Sequence, residues 1–210
     1  METTSGMSSA LIITGGFCDI ELARAELPAK ADLIIAADSG YRTAVALGVK
    51  PDIAMGDFDS LVGALPEGLP IYRVPSEKDV TDTMLACDYA REKGCAEITI
   101  VGGTGGRIDH SLSNILYLES LHQLGVRTTL TDGVNTVRFI ENETVTIPAF
   151  DGYFSIFAVD ECRVTESGCK YPLDEATLVR SLPYALSNEV TADMAVVSVK
   201  GRAIFVLSRK

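Results

Sequence analysis

The chain has no tryptophan, only two histidines (His110 and His122), and no pair of cysteines spaced as C-x-x-C. So little imidazole leaves no basis for a histidine-built metal site. The five cysteines (Cys18, Cys87, Cys95, Cys162 and Cys169) are an odd set without zinc-ligand spacing. Neither a zinc centre nor a disulfide framework is expected; reduced thiols in a cytoplasmic protein, most of them small core hydrophobes, are the simpler reading. Positive charge is scarce too, with 18 Lys and Arg against 29 Asp and Glu, a formal charge of −11. That balance argues against nucleic acid or an anionic membrane as partner. A phosphorylated ligand would need cations or a local cluster of donors. Long apolar runs are also missing. The opening "METTSGMSSALIITGG" has no basic segment ahead of its short apolar stretch, so neither a signal peptide nor a membrane span is expected. Residues 1–8 read as a loose polar tail.

What is present is an ordinary globular composition. Of 210 residues, 47% are hydrophobic, enough for a sizeable core in one large domain or two small ones. Up to about residue 133, short apolar runs alternate with helical patterns. "ALIITGGF", "ADLIIAADSG", "PDIAMGDFDS", "IYRVPS", "AEITIVGG" and "VRTTLT" read as six strands. "DIELARAELP", "YRTAVALG", "DVTDTMLACDYAREKG" and "HSLSNILYLESLHQLG" read as the helices between them. Apolar strands separated by helices predict a parallel sheet covered on both faces, with ligands at the carboxyl ends of its strands. From about residue 134 the texture becomes all-β. Runs such as "TVRFIENETVTIPAF", "GYFSIFAV", "CRVTES", "ATLVRS" and "MAVVSVKGRAIFVLSRK" predict a sandwich or roll, with Lys200–Gly201 as a terminal hairpin turn.

Acidic residues fall where this layout places ligands. Asp38 ends the second strand, Asp57 and Asp59 end the third within "GDFDS", Asp79 and Asp82 lie where the fourth strand meets its helix, and Asp109 opens the helix after the fifth. Asp57 and Asp59 project to one side of an extended chain, and two carboxylates about 4 Å apart repel by about 1 kcal/mol in water and about 4 kcal/mol at an effective dielectric of 20. Bound cations would offset that cost, and oxygen-only ligands suit Mg²⁺. Each acid alone has a plainer reading. Asp79 with Asp82 resembles a capping box, and Asp38-Ser39-Gly40 reads as a turn. Their convergence on one edge carries the argument.

"VGGTGGRIDH" is a glycine-rich loop between a strand and a helix, able to present backbone N–H groups to a phosphate, although glycine loops also occur as simple turns. It lacks the Lys-Ser/Thr of a P-loop and the glycine spacing of a dinucleotide fingerprint. Arg107 adds a guanidinium suited to phosphate oxygens, and Lys78 is a second candidate cation. Gly15-Gly16 after the first strand would let a nucleotide approach the backbone.

In this order and spacing, "AADSG", "KPDIAMGDFDS", "SEKDVTDTMLA" and "GGTGGRIDHSLSNI" resemble the thiamine pyrophosphokinases, and "CRVTESGCKYPL" and "LSNE" are similar to that family's thiamine-site segments. The resemblance implies an N-terminal Rossmann-like ATP-binding α/β domain over residues 1–133 and a C-terminal thiamine-binding β-sandwich over 134–210. It also implies a homodimer with sites between subunits, and Mg²⁺-dependent transfer of the pyrophosphoryl group of ATP to thiamine with release of AMP. Carried over, it makes Asp57, Asp59, Asp79 and Asp82 the Mg²⁺ ligands. Asp38, Gly15, Lys78, Thr104 and Gly105 become nucleotide contacts, and Arg107 the phosphate clamp. Asp109 would orient substrate or accept the hydroxyl proton. Tyr171, where some members carry Trp, would stack on the thiamine pyrimidine, with Ser187 and Asn188 hydrogen-bonding that ring. His110 and Lys78 stand where animal members carry Gln. Two rival readings use the same acids: a Mg²⁺-dependent nucleotide phosphohydrolase with water as nucleophile, and a nucleotide-sensing module whose β-domain dimerises.

Overall fold

A computed structural model describes residues 8–58, 67–73 and 80–210. The chain divides into two compact units, Met1–Gly133 and Val134–Lys210.

Among its described residues the first unit contains six strands, β1 (Ser9–Ile13), β2 (Leu33–Ala37), β3 (Ile53–Gly56), β4 (Ile71–Arg73), β5 (Glu97–Val101) and β6 (Arg127–Thr131). Four helices accompany them, α1 (Ile20–Glu26), α2 (Gly40–Leu47), α3 (Asp82–Glu92) and α4 (Ile108–Gln123). The strands pair in parallel in the order β6-β5-β1-β2-β3-β4. Both pleat faces of β1 are buried: Leu11 and Ile13 pack with Ala23, Ala44 and Leu47 from α1 and α2, while Ala10 and Ile12 are also inaccessible. A strand covered on both sides must be apolar throughout, which explains why "ALII" does not alternate. Helix ends follow local chemistry. Asp19 accepts from Leu22 N–H (3.0 Å) to start α1, Thr81 accepts from Met84 N–H (3.2 Å) to start α3, and Gly48 closes α2 at φ +76°. The cap of α3 is therefore Thr81, with Asp82 in the first turn, where a carboxylate complements the helix dipole.

Chain order reverses at β1, which has β2 on one side and β5 on the other. The crevice at such a switch point is where an open parallel sheet receives its ligand.

The second unit is antiparallel, with β7 (Asn135–Glu141), β8 (Thr144–Pro148), β9 (Gly152–Ser167), β10 (Leu173–Val179) and β11 (Met194–Arg209). Strand β9 pairs along the length of β11. The other edge of β11 takes β8 opposite Met194–Ser198 and β7 opposite Arg202–Ser208. Its core gathers Ile140, Ile147, Phe154, Ile156, Val164, Val197 and Phe205. The hairpin expected at Lys200–Gly201 is absent. Residues 194–209 form one strand whose register shifts between Gly201 and Ala203, with Gly201 at φ +111°. A glycine between two β-rich runs marks a bulge as readily as a turn, and here the long partner β9 keeps the strand continuous.

Candidate functional site

The carboxyl ends of β1, β2, β3 and β5 and the amino ends of α3 and α4 surround a cavity of about 690 Å³. Its floor is glycine backbone. Phe17 N–H donates to Thr104 O (3.0 Å), and Thr14 N–H donates to Val101 O (2.9 Å), which ties the loop after β1 to the loop after β5. A Cβ on Gly16 would lie 2.0 Å from Gly102 O, so only glycine permits this approach.

Among the residues singled out from the sequence, Gly15, Asp38, Asp57, Asp82, Thr104, Gly105 and Arg107 all line this cavity. Asp38 sits at φ +47°, directly after β2, and its N–H donates to Met55 O on β3 (2.7 Å). That left-handed residue turns the chain across the carboxyl ends of the two strands, a conformation Asp tolerates better than most residues. Asp57 follows β3 immediately, and Asp82 is the first residue of α3. Thr104 donates its hydroxyl to the carboxylate of buried Asp132. Asp59, Lys78 and Asp79 lie outside the described residues. Among the described residues, no group of three or more His, Cys, Asp or Glu side chains gathers as a metal site.

Arg107 precedes α4 and is gripped by Asp109, with Nε to Oδ1 at 3.2 Å and Nη2 to Oδ2 at 2.5 Å. The guanidinium beside it holds the Asp109 carboxyl below its ordinary pKa. Asp109 is absent from the cavity lining and turned toward Arg107. In this arrangement the Asp109 carboxylate is engaged by Arg107 in a charge-assisted pair.

Sequence reasoning overlooked part of the lining. Asn114, mostly buried on α4, donates to Gly103 O (2.7 Å) and braces the glycine loop. Arg107, His110 and Asn114 are spaced i, i+3, i+7, and all three line the cavity. That periodicity was legible as one helix face. Asp132 gave no such signal, because its partner Thr104 is 28 residues away. Cys18, close in sequence to the cavity-lining Phe17, has its thiol pushed up to about 11 by burial, then by Asp132 and Asp19, which disfavours the thiolate at neutral pH.

In the second unit Tyr171 is 58% exposed, with Lys170 Nζ 5.5 Å from its ring centroid. Ser187 is at φ +54°, and its N–H donates to Ser155 Oγ (3.0 Å). Asn188 does not behave as expected. It is 4% exposed, and its amide is saturated by the protein. Nδ2 donates to Glu166 Oε2 (2.6 Å) and Tyr171 O (2.8 Å), while Oδ1 accepts from Tyr171 N–H and Glu189 N–H (both 3.0 Å). An amide has two donors and two acceptor sites. Asn188 thus has none left for a ligand, and its direct ring contact gives way to a bracing role.

Comparison with known proteins agrees with this layout. The family described as "Thiamin pyrophosphokinase, catalytic domain" matches residues 25–130, and "Thiamin pyrophosphokinase, vitamin B1 binding domain" matches residues 137–203. The chain is 33% identical over 169 residues to the thiamine pyrophosphokinase of Bacillus subtilis, covering 75% of this chain and 78% of that protein. The crystal structure of thiamine pyrophosphokinase from Bacillus subtilis superposes with a TM-score of 0.84 at 28% identity, covering 97% of this chain and 100% of that one. The corresponding structure from Geobacillus thermodenitrificans gives 0.81 at 27% identity, with 96% and 98% covered. The Candida albicans thiamin pyrophosphokinase, at 13% identity and TM-score 0.76, shares the fold, with 97% and 90% covered. Acids and glycines at a switch point, an aromatic segment in the second unit, and both family matches together place this chain in the thiamine pyrophosphokinase family.

Proposed function

We propose that this thiamine pyrophosphokinase holds ATP in the cavity at the β1/β5 switch point and transfers its β,γ-pyrophosphoryl group to the hydroxyl of thiamine. The thiamine oxygen forms a bond to the β-phosphorus, the bond from that phosphorus to the α-phosphate oxygen breaks, AMP leaves, and the hydroxyl proton is released. One observation carries the reading: glycine backbone, three aspartates and an arginine from separate elements line a single cavity of triphosphate-accommodating size. The loops at Gly15–Gly16 and Gly102–Gly106 supply backbone that side chains cannot obstruct. Arg107, released from Asp109, would clamp phosphate oxygens bidentately.

Asp38, Asp57 and Asp82 line the same cavity and offer only oxygen, the donor type that suits a hard cation, although among the described residues they are not gathered into a metal site by themselves. Asp57 and Asp82, with Asp59 and Asp79, are the proposed Mg²⁺ ligands. Bound Mg²⁺ would neutralise charge on the phosphoryl oxygens and ease approach of the nucleophile. The protein's own share is positioning, which dominates this class of transfer. Tyr171 offers a face for the cationic thiamine, and Ser187 is the polar neighbour left for its pyrimidine. We further assign the first unit as a Rossmann-like ATP-binding domain and the second as a thiamine-binding β-sandwich. A homodimer with sites between subunits and a cytoplasmic setting, consistent with five free thiols, complete the proposal.

The test is to follow AMP and thiamine diphosphate by chromatography, with and without thiamine. Stoichiometric AMP and thiamine diphosphate, both dependent on thiamine, are expected. Equal ATP consumption without thiamine would favour the phosphohydrolase, and ATP–Mg²⁺ binding without turnover the sensing module.

A further inference from the structure

On one face of strand β9, Phe154, Ile156, Ala158, Cys162 and Val164 are buried, with the exposed Asp160 interrupting the alternation, and the residue that follows Val164 on that face is Glu166, only 3% exposed. A carboxylate thus occupies a core position, opposite Val197 of β11 and Leu173 of β10. One oxygen, Oε1, has no hydrogen-bond partner, and burial raises the pKa of the group. Such a side chain weakens a core unless its other oxygen does something an apolar residue cannot.

That other oxygen accepts from Asn188 Nδ2 at 2.6 Å. The remaining Asn188 bonds go to main-chain groups of Tyr171 and Glu189, which fixes which end of the amide is oxygen and which is nitrogen. Glu166 is therefore an acceptor whatever its protonation, and it fills the last valence of the amide that staples the Tyr171 segment. The staple is reinforced on both sides by Lys170 N–H to Glu189 O (2.9 Å) and Thr191 N–H to Gly168 O (3.0 Å). Between these bonds Tyr171 presents an exposed ring on a fixed backbone.

We propose that Glu166 is a positioning residue for thiamine binding: through Asn188 it locks the main chain of Tyr171, so that the aromatic face is preorganised before substrate arrives. The thiamine part of this proposal rests on the reading of Tyr171 as the stacking surface. Preorganisation acts on affinity by removing the ordering that binding would otherwise require. Its signature is a change in the KM for thiamine with kcat and the KM for ATP preserved.

The experiment compares Glu166→Leu, which suits the core face but removes the acceptor, with Glu166→Gln, which retains a carbonyl oxygen for Asn188. Amide hydrogen exchange is measured at Tyr171 and Glu189, together with steady-state kinetics in both substrates. The Leu variant should exchange these two amides at least 10-fold faster and raise the thiamine KM about 5-fold, with kcat and the ATP KM within 2-fold. The Gln variant should return both readouts toward wild type. Unchanged exchange in the Leu variant overturns the proposal whatever the kinetics show. Faster exchange with an unchanged thiamine KM upholds the lock on Tyr171 but refutes its role in substrate binding, so failure of the lock and failure of the stacking reading are told apart.

Discussion

At the scale of the residue, the acids and the aromatic face make separable demands. Asp57→Asn removes one negative oxygen donor from the cavity without changing side-chain size. Turnover is expected to fall at least about 100-fold, equivalent to about 2.7 kcal/mol. Thermal stability in metal-free buffer should hold or rise, because repulsion among the acids falls. Paired kinetics and calorimetry check both halves, and unchanged turnover would move the metal site elsewhere. Tyr171→Ala should raise the thiamine KM about 5- to 10-fold, or about 1–1.4 kcal/mol, with little effect on ATP. An effect confined to ATP refutes the stacking role. The placement of Asp38, Asp57 and Asp82 on one cavity was legible in the sequence, since an Asp at the end of an apolar strand run or the start of a helix is a local pattern. Asn188 shows where that legibility stops. Its type suited a ligand contact, but its four partners come from Glu166, Tyr171 and Glu189, and the pairing with Glu166 spans 22 residues.

At the scale of the element, the glycine loops are constrained more tightly than a flexible turn. Gly16→Ala would push a methyl group against Gly102 O at 2.0 Å and Thr104 O at 2.9 Å, both main chain and unable to rotate away. The loops should be forced apart, with a stability loss of about 1–3 kcal/mol by urea unfolding and weaker ATP binding by calorimetry. Normal values for both would mean that the two loops do not need their close approach. Strand β11 teaches the complementary lesson. Lys200–Gly201 has turn-like composition, yet β9 pairs on both sides of it and turns the site into a bulge. Local sequence offers both outcomes, and the partner strand chooses.

At the scale of the whole molecule, stability should respond to pH through two buried or bridged carboxyls with opposite signs. Glu189 is bridged by Lys170 and Lys210, both 2.7–2.8 Å away, and its pKa is lowered from 4.5 to about 2. A depressed folded pKa stabilises above the unfolded pKa, and that contribution is lost as pH falls from about 4.5 toward 2. Glu166 runs the other way. Burial raises its pKa, so its favourable contribution is complete below the unfolded pKa and is lost as pH rises through the folded value. Melting temperatures of wild type and Glu166→Gln should therefore diverge in favour of the variant as pH rises from about 4 toward neutrality. Parallel curves would mean that Glu166 titrates as it does in the unfolded chain.

The sequence by itself determined the kinds and order of the elements of the first unit, because apolar runs, helix caps and glycine stops act within a few residues. It also determined which acids and glycines stand at strand ends. Only the tertiary structure decided that β1 lies between β2 and β5, that Thr104 meets Asp132, that β11 runs on through Gly201, and that Glu166 completes Asn188. Those outcomes depend on hydrogen bonds and packing between segments far apart in the chain, and no short window of sequence contains both partners.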